Sequence, residues 1–502
     1  MISPEIALPL SIVLPLVGCM AIWLLDKSPN LREAATLVTG LILLVLTVSV
    51  FIAVGDGSRP VYAAFEVMNG LPIALKAEPL GAMFGVIASG LWVVNSFYSI
   101  GYMRGHHETN QTRFFMSFAV AISSAMGVAY AANLFTLFIF YEVLTLSTFP
   151  LVTHKRDEKA RRGGRIYLGV LLATSIGLLL PAIAWTNVIA GSTDFVPGGL
   201  LAQHVSEASP VAGVLLALYA FGVGKAALMP VHPWLPNAMV APTPVSAFLH
   251  AVAVVKAGVF TILKIAIYIF GVDFLKTTGA SHPILIVAGV SIVLASAIAM
   301  HKDNLKARLA YSTVSQLSYV TLGAMLATSA GVMGGAMQIA AHALGKMTLF
   351  MCAGAVMVAA HKENISEMRG LGRKMPITFG AFFIGAMSII GLPPLAGSWP
   401  KFFLMLGAAD AGQLWVLGVL IVSSILNVIY LLSIPVQAFY LKPAAEGEKA
   451  QGAEGAKIEW NALQEAPFLC VAPPVLTALG ALLLFFFANP LYNYLAPILE
   501  AR

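Results

Sequence analysis

Apolar runs of about 20 residues recur from one end of this 502-residue chain to the other. That is the length an α-helix needs to cross the roughly 30 Å hydrocarbon core of a bilayer. The pattern predicts an all-α polytopic membrane protein with about fourteen transmembrane helices. They lie near 4–25, 33–54, 79–102, 114–131, 133–153, 166–190, 211–229, 243–271, 283–300, 308–328, 332–360, 377–409, 412–440 and 467–489. No soluble domain fits between them. The two longest intervening pieces are Gly55–Glu78 and the Ala-, Gly-, Glu- and Lys-rich Leu441–Pro467, which reads as a loosely packed loop. The first run begins without a basic segment and is longer than a signal-peptide core, so it reads as a retained helix.

With 59% of residues hydrophobic and 10% charged, the chain is far more apolar than a soluble protein. Its net charge of +6 is spread over short loops, not gathered on one soluble face, and no nucleic-acid partner is expected. Cys19, Cys352 and Cys470 stand alone in apolar runs, so neither a disulfide framework nor a zinc or iron–sulfur site is indicated. Gly224–Lys225 and Gly345–Lys346 lack the remainder of a phosphate-binding loop, and no two histidines have a persuasive spacing for haem. The expectation is no metal and no cofactor.

Lysine and arginine follow an alternating rule. His154–Arg165 holds six of them, and Met103–Arg113, His301–Arg308, His361–Lys374 and Leu441–Lys457 are also basic. The loops Ile189–Pro210 and Ala327–Gly331 carry none. The positive-inside rule makes the basic set cytoplasmic and places both termini on the outer side.

Two spans are interrupted by proline. The seventh runs into Pro230, Pro233 and Pro236, and the twelfth contains Gly391, Pro393, Pro394 and Pro400. Proline removes a backbone donor and clashes with the preceding turn. Irregular backbone at membrane depth is tolerated only where it is packed in protein or lines a wet cavity. Spans four to eight and nine to thirteen form two consecutive blocks of five. Five is odd, so the second block enters from the opposite side. The result is two inverted five-helix repeats, with a discontinuous helix fourth in each, the arrangement that marks a transporter site. The chain divides accordingly into 1–110 (spans one to three), 111–272 (first repeat), 273–440 (second repeat) and 441–502 (cytoplasmic loop and last span).

Charged side chains nevertheless stand inside the spans: Glu142, Lys225, Lys256, Lys346 and Lys401. Each costs about 2.5–3.5 kcal/mol at mid-bilayer, which makes a path for protons or small cations the default inference. Lys225 and Lys401 belong to the two interrupted spans. An ion pair between Glu142 and Lys225 that breaks and re-forms would alternately favour the charged and neutral lysine, as a proton-passing site requires. His342 and Lys346 stand at i and i+4 on one helical face, and histidine relays protons near neutrality. His250 joins the candidates, although on an unbroken helix it lies about 240° round from Lys256. Lys264, about 80° from Lys256, is expected to snorkel towards the interface. Lys401 would be the terminal site of the relay.

At these residues the chain resembles the antiporter-like subunits shared by respiratory complex I and the Mrp-type multisubunit cation/proton antiporters. The matching stretches are Tyr141–Glu142–Val143, Gly224 to Ala238, Ala241 to Gly258, Asp303 to Gln316, His342 to Lys346 and Gly391 to Gly397. They are specific and fall between about 110 and 440. The resemblance implies fourteen helices, two inverted repeats and a central polar axis. It assigns Glu142 as modulator of Lys225, Lys256 as the link between half-channels, His342 with Lys346 as the eleventh-span motif, and Lys401 as the exit site. Lysine at that last place is most similar to the D-type subunit of the Mrp antiporters. Gly345 replaces the bulky residue common in the family's eleventh-span motif.

The resemblance implies a proton-translocating subunit of a monovalent cation (sodium)/proton antiporter in a bacterial inner membrane. Its partners would be other membrane subunits, with protons and sodium as the moving ions. The rival is a proton-pumping subunit of a redox complex, an NADH:quinone oxidoreductase or a membrane-bound hydrogenase, with all electron transfer in its partners. A structural subunit with a vestigial polar axis is a third reading.

Overall fold

A computed structural model describes residues 3–68, 70–442 and 463–500. Helices α1 (Pro4–Leu24) and α2 (Pro29–Gly55) precede a hairpin of β1 (Val61–Met68) and β2 (Leu71–Lys76). Then come α3 (Pro79–Gly105), α4 (Gln111–Ala129), α5 (Leu134–Val152), α6 (Glu158–Thr174) and α7 (Leu180–Ala190), the last two joined by a π-helical turn. The first interrupted span is α8 (Val211–Gly222) with the short α9 (Trp234–Asn237). It is followed by α10 (Thr243–Ala251), α11 (Val254–Lys264) and α12 (Val272–Thr278). The second block comprises α13 (His282–Met300), α14 (Leu305–Met325), α15 (Ser329–Ala360), the interrupted pair α16 (Pro376–Ile390) and α17 (Ser398–Asp410), then α18 (Leu414–Asn427) and α19 (Ser433–Tyr440). The described chain ends with α20 (Phe468–Phe486), α21 (Ala488–Leu495) and α22 (Pro497–Glu500).

Local chemistry fixes these boundaries. Side chains of Asn133, Asp157, Asn304 and Thr328 accept from backbone N–H groups at the starts of α5, α6, α14 and α15. Proline opens α1, α2, α3, α13 and α16, where its missing donor is harmless.

Among the described residues, eleven helical runs are long and apolar enough to cross a membrane. The other three expected spans are α8–α9, α16–α17 and α14. The first two are cut short by their breaks. The third is too polar to qualify by hydropathy, because Ser312, Thr313, Ser315, Gln316, Ser318 and Thr321 all lie on it, and all are buried. The protein is an integral multi-pass membrane protein. Its lipid-type surface is on the outer helices: α1, α2, α18 and α20 expose apolar side chains, while every residue of α10 and α11 is buried.

Two details depart from the sequence reading. The eighth span is also broken: α10 and α11 are separated at Val252–Ala253, where the backbone leaves helical geometry without proline or glycine. The helical-wheel angle between His250 and Lys256 therefore does not apply. Gly55–Glu78 is not plain loop but contains the antiparallel β1–β2 pair, running from Val61↔Lys76 to Met68↔Leu71. The Asn69–Gly70 dipeptide between two β-prone runs was the available signal. Most of Leu441–Pro467 lies outside the described residues.

The basic loops meet at one end of the bundle. Arg113 Nη2 donates to the His154 carbonyl at 2.9 Å, the Leu305 N–H donates to the Glu363 carbonyl at 2.9 Å, and the His106 and His361 rings are 6.0 Å apart. The hairpin lies against the turn between α4 and α5, where the Lys76 N–H donates to the Tyr130 carbonyl at 2.7 Å.

Candidate functional site: a buried polar axis

Lys225 sits in the gap of the first broken helix. After α8 ends, Gly224–Ala226 forms a 3₁₀ turn and Ala227 takes a left-handed conformation at φ +53°. The Lys225 ammonium is fully buried and donates to the Tyr141 carbonyl at 2.7 Å and to Thr145 Oγ1 at 2.6 Å. It also lies 3.1 Å from the centre of the Tyr141 ring, a cation–π contact, and its backbone N–H donates to the Tyr141 hydroxyl. The Trp234 indole donates to the Gly224 carbonyl at 2.9 Å, an acceptor that also takes the Ala227 N–H at 3.0 Å. Glu142 is not the partner here. Among the described residues no ion pair joins it to Lys225, and its buried Oε1 has no hydrogen-bond partner.

Lys401 has the same kind of surroundings. It lies on the first turn of α17 and reaches back across the second break, donating to the Ile390 carbonyl at 2.5 Å and to Ser424 Oγ at 2.9 Å. The Tyr319 ring centre is 5.2 Å from its ammonium. Gly391, at φ +88°, lies against the Lys401 stem and leaves no room there for a β-carbon. That position requires glycine on both counts.

The middle of the axis lies between α11, α14 and α15. Lys256 Nζ is 2.7 Å from His342 Nδ1, so the two halves of the molecule touch through these side chains. One turn along α15, Lys346 donates to Ser312 Oγ at 2.6 Å and to the Leu309 carbonyl at 3.2 Å. The Tyr430 hydroxyl extends this chain, hydrogen-bonded to the Ser312 hydroxyl at 2.9 Å and to Asn427 Oδ1. Gly258 on α11 packs directly against the backbone at Lys225 and Ala226, which brings the Lys256 helix up to the first break. His250 is buried beside the Phe350 ring at 5.2 Å; among the described residues neither of its ring nitrogens has a partner, and His342 Nε2 is likewise unpaired. Gly345 faces Ile389, whose Cδ1 would stand 2.9 Å from an added β-carbon. The missing side chain thus allows α15 to approach α16 beside Lys346.

Six of the seven expected residues are buried and Glu142 is half-buried, and they lie in separate short clusters instead of one unbroken chain of bonds. Lys264 departs from expectation: it does not snorkel. It is buried, 2.6 Å from Glu78 Oε1, donates to the Ala131 carbonyl at 2.9 Å and lies 3.9 Å from the Phe195 ring centre. The carboxylate comes from the connection between β2 and α3, a long-range partner invisible in the helix pattern. Sequence reasoning also missed Thr145, Ser312, Tyr319, Ser424 and Tyr430. The run of hydroxyls on α14 was the one usable signal, since it makes that span unusually polar. Among the described residues no group of three or more His, Cys, Asp or Glu is placed to hold a metal.

Comparison with known proteins agrees with this architecture. Residues 131–427 match the family model described as "NADH:quinone oxidoreductase/Mrp antiporter, TM". NADH-quinone oxidoreductase subunit N of Desulforudis audaxviator is 30% identical over 409 residues, covering 79% of this chain and 80% of its own length. Against other, longer curated relatives the chain spans only about half of their length. A chain of the Mrp complex from Dietzia sp. DQ12-45-1b superposes with a TM-score of 0.86 at 22% identity, covering 100% of this chain and 97% of that one. A chain of the archaeal membrane-bound sulfane sulfur reductase gives 0.84 at 21%, covering 99% and 97%. Both structures are multisubunit membrane complexes. The match to the family model covers more than half of the sequence, and the chain belongs to the NADH:quinone oxidoreductase/Mrp antiporter transmembrane family.

Proposed function

We propose that this chain is the D-type proton-translocating subunit of an Mrp-like monovalent cation/proton antiporter, working beside other membrane subunits in a bacterial inner membrane. The basic ends of the helices would face the cytoplasm. The observation that carries the reading is the buried axis itself: four lysines and a histidine at membrane depth, each lysine held by neutral oxygens or by imidazole instead of a carboxylate. A lysine so placed can pass a proton on without first breaking an ion pair. Lys225 would exchange protons under the influence of Glu142. The Lys256–His342 contact would pass them between halves, and Lys346 and Lys401 would carry them to the far side. The unpaired nitrogens of His250 and His342 and the unpaired Glu142 oxygen are places for ordered water to complete the path. A membrane potential of 100 mV supplies about 2.3 kcal/mol per elementary charge, enough to bias such a relay.

The test is cation-driven proton movement in inverted vesicles carrying the assembled complex. Lys225→Ala and, separately, Lys401→Ala are expected to reduce it to background with normal assembly; retained exchange in either would overturn the relay. The second reading, a pumping subunit of a redox complex, draws on the likeness to an oxidoreductase subunit and to a reductase complex. Under it, proton movement would follow electron-donor oxidation and be indifferent to sodium.

A further inference from the structure

The loop between α5 and α6 builds a feature that the polar axis does not use. Arg113, Arg156, Arg161 and Arg165 line one cleft of about 410 Å³ together with Phe149 of α5 and Thr153 at its end. Four guanidinium groups around one opening repel each other unless something negative lies among them. Their protein partners are few. Arg165 makes only an exposed contact to Glu158 at 3.8 Å, worth little in water. Among the described residues the side chains of Arg156 and Arg161 have no hydrogen-bond or ion-pair partner, and Arg113 Nε is buried with none. Asp157 is occupied capping α6.

The cleft also has an apolar exit. Thr153, Phe149, Leu146 and Val143 follow one another at spacings of four and three along α5, on one face of the helix. Leu146 is 55% and Val143 38% exposed, so an uncovered apolar strip leads from the arginines towards mid-membrane. Cation at the end of a spanning helix and hydrocarbon along its side are the two halves of a phospholipid. Guanidinium forks match phosphate oxygens in pairs, and basic pockets at this level between spanning helices suit acidic headgroups.

We propose that the cleft binds the headgroup of an acidic phospholipid, with an acyl chain lying along Phe149, Leu146 and Val143. The experiment places the assembled complex in nanodiscs of equal phosphatidylglycerol and phosphatidylcholine, then counts retained lipids by native mass spectrometry. Wild type should retain phosphatidylglycerol preferentially. Arg156→Gln with Arg161→Gln should weaken that preference roughly 30-fold, at about one unit of surface attraction per arginine. The corresponding double lysine variant should keep most of it. Both side chains are exposed, and an unchanged melting profile in detergent confirms folding. Equal retention of the two lipids by wild type would overturn the proposal, as would an unaltered preference in the double glutamine variant. Displacement of the lipid by millimolar inorganic phosphate would assign a free-anion site instead. A photo-crosslinker at position 161 that captures a neighbouring subunit and no lipid would assign a protein contact.

Discussion

The two broken helices make a natural comparison. Lys225 and Lys401 each hydrogen-bond one backbone carbonyl and one hydroxyl, and each ammonium faces a tyrosine ring. The rings come from equivalent helices: Tyr141 on α5 and Tyr319 on α14 are both on the second span of their blocks. The inverted repeat thus extends from backbone topology to side-chain surroundings. The halves part company at the next residue. Tyr141 is followed by Glu142, whereas Tyr319 is followed by Val320, and α14 has no carboxylate anywhere in its length. We expect the first half alone to control its lysine through this carboxylate, and the second to respond through solvation and hydroxyl rearrangement.

The largest expected difference between the halves follows from that residue. Glu142→Gln should lower exchange by a factor of roughly ten or more, since removing a nearby opposite charge changes the balance of charged and neutral lysine by at least that much. Gln316→Leu, the removal of the main polar side chain one turn from Tyr319, should change it far less. Gln316 bonds Gln338 at 2.8 Å and no lysine. Exchange rates in vesicles at fixed pH, normalised to assembled complex, separate the two outcomes. Equal losses would mean that the halves are controlled alike, and the carboxylate asymmetry would carry no function.

A smaller effect is expected at the seam. Lys256 and His342 touch at 2.7 Å, so their substitutions should not add. In a double-mutant cycle with Lys256→Gln and His342→Gln, the coupling should be about 0.5–3 kcal/mol when transport rates are converted to free energies. Additive losses would show that the halves communicate elsewhere than through this pair.

How much of this was legible in the sequence depends on the range of the interactions involved. The spans, the two proline breaks and the buried position of the four lysines follow from local hydropathy and from the backbone chemistry of proline. The break between α10 and α11 was hidden because Val252 and Ala253 carry no breaker signal; tertiary packing bends the chain there. Partners were harder still. Glu142 was the obvious mate for Lys225 by charge, yet the lysine uses a carbonyl and a threonine 80 residues away. Glu78 found Lys264 across a separation more than twice as long. A lysine stem spans several ångströms, so composition restricts its choices only to whatever oxygen the fold brings near. Gly345 was the reverse case: a missing side chain in the sequence became, in the structure, the place where α15 meets Ile389.

The smallest effect concerns a histidine outside the axis, and it sharpens the comparison by removing a confounder. His154 lies beyond the end of α5, buried against Arg113 and the Phe114 ring. Burial, and then the positive charge of Arg113, pushes its pKa down to about 4. An unfolded histidine titrates near 6.5, so between about pH 6.5 and 4 the unfolded chain binds the proton that the folded one refuses. Stability must therefore fall as pH is lowered through that window, and the loss is complete below it. His154→Gln should flatten this part of the melting-temperature curve and leave the pH dependence of exchange between 6 and 8 unchanged. A variant that shifted exchange in that range instead would move part of the proton path out of the helical interior and into the basic loop beside the first repeat.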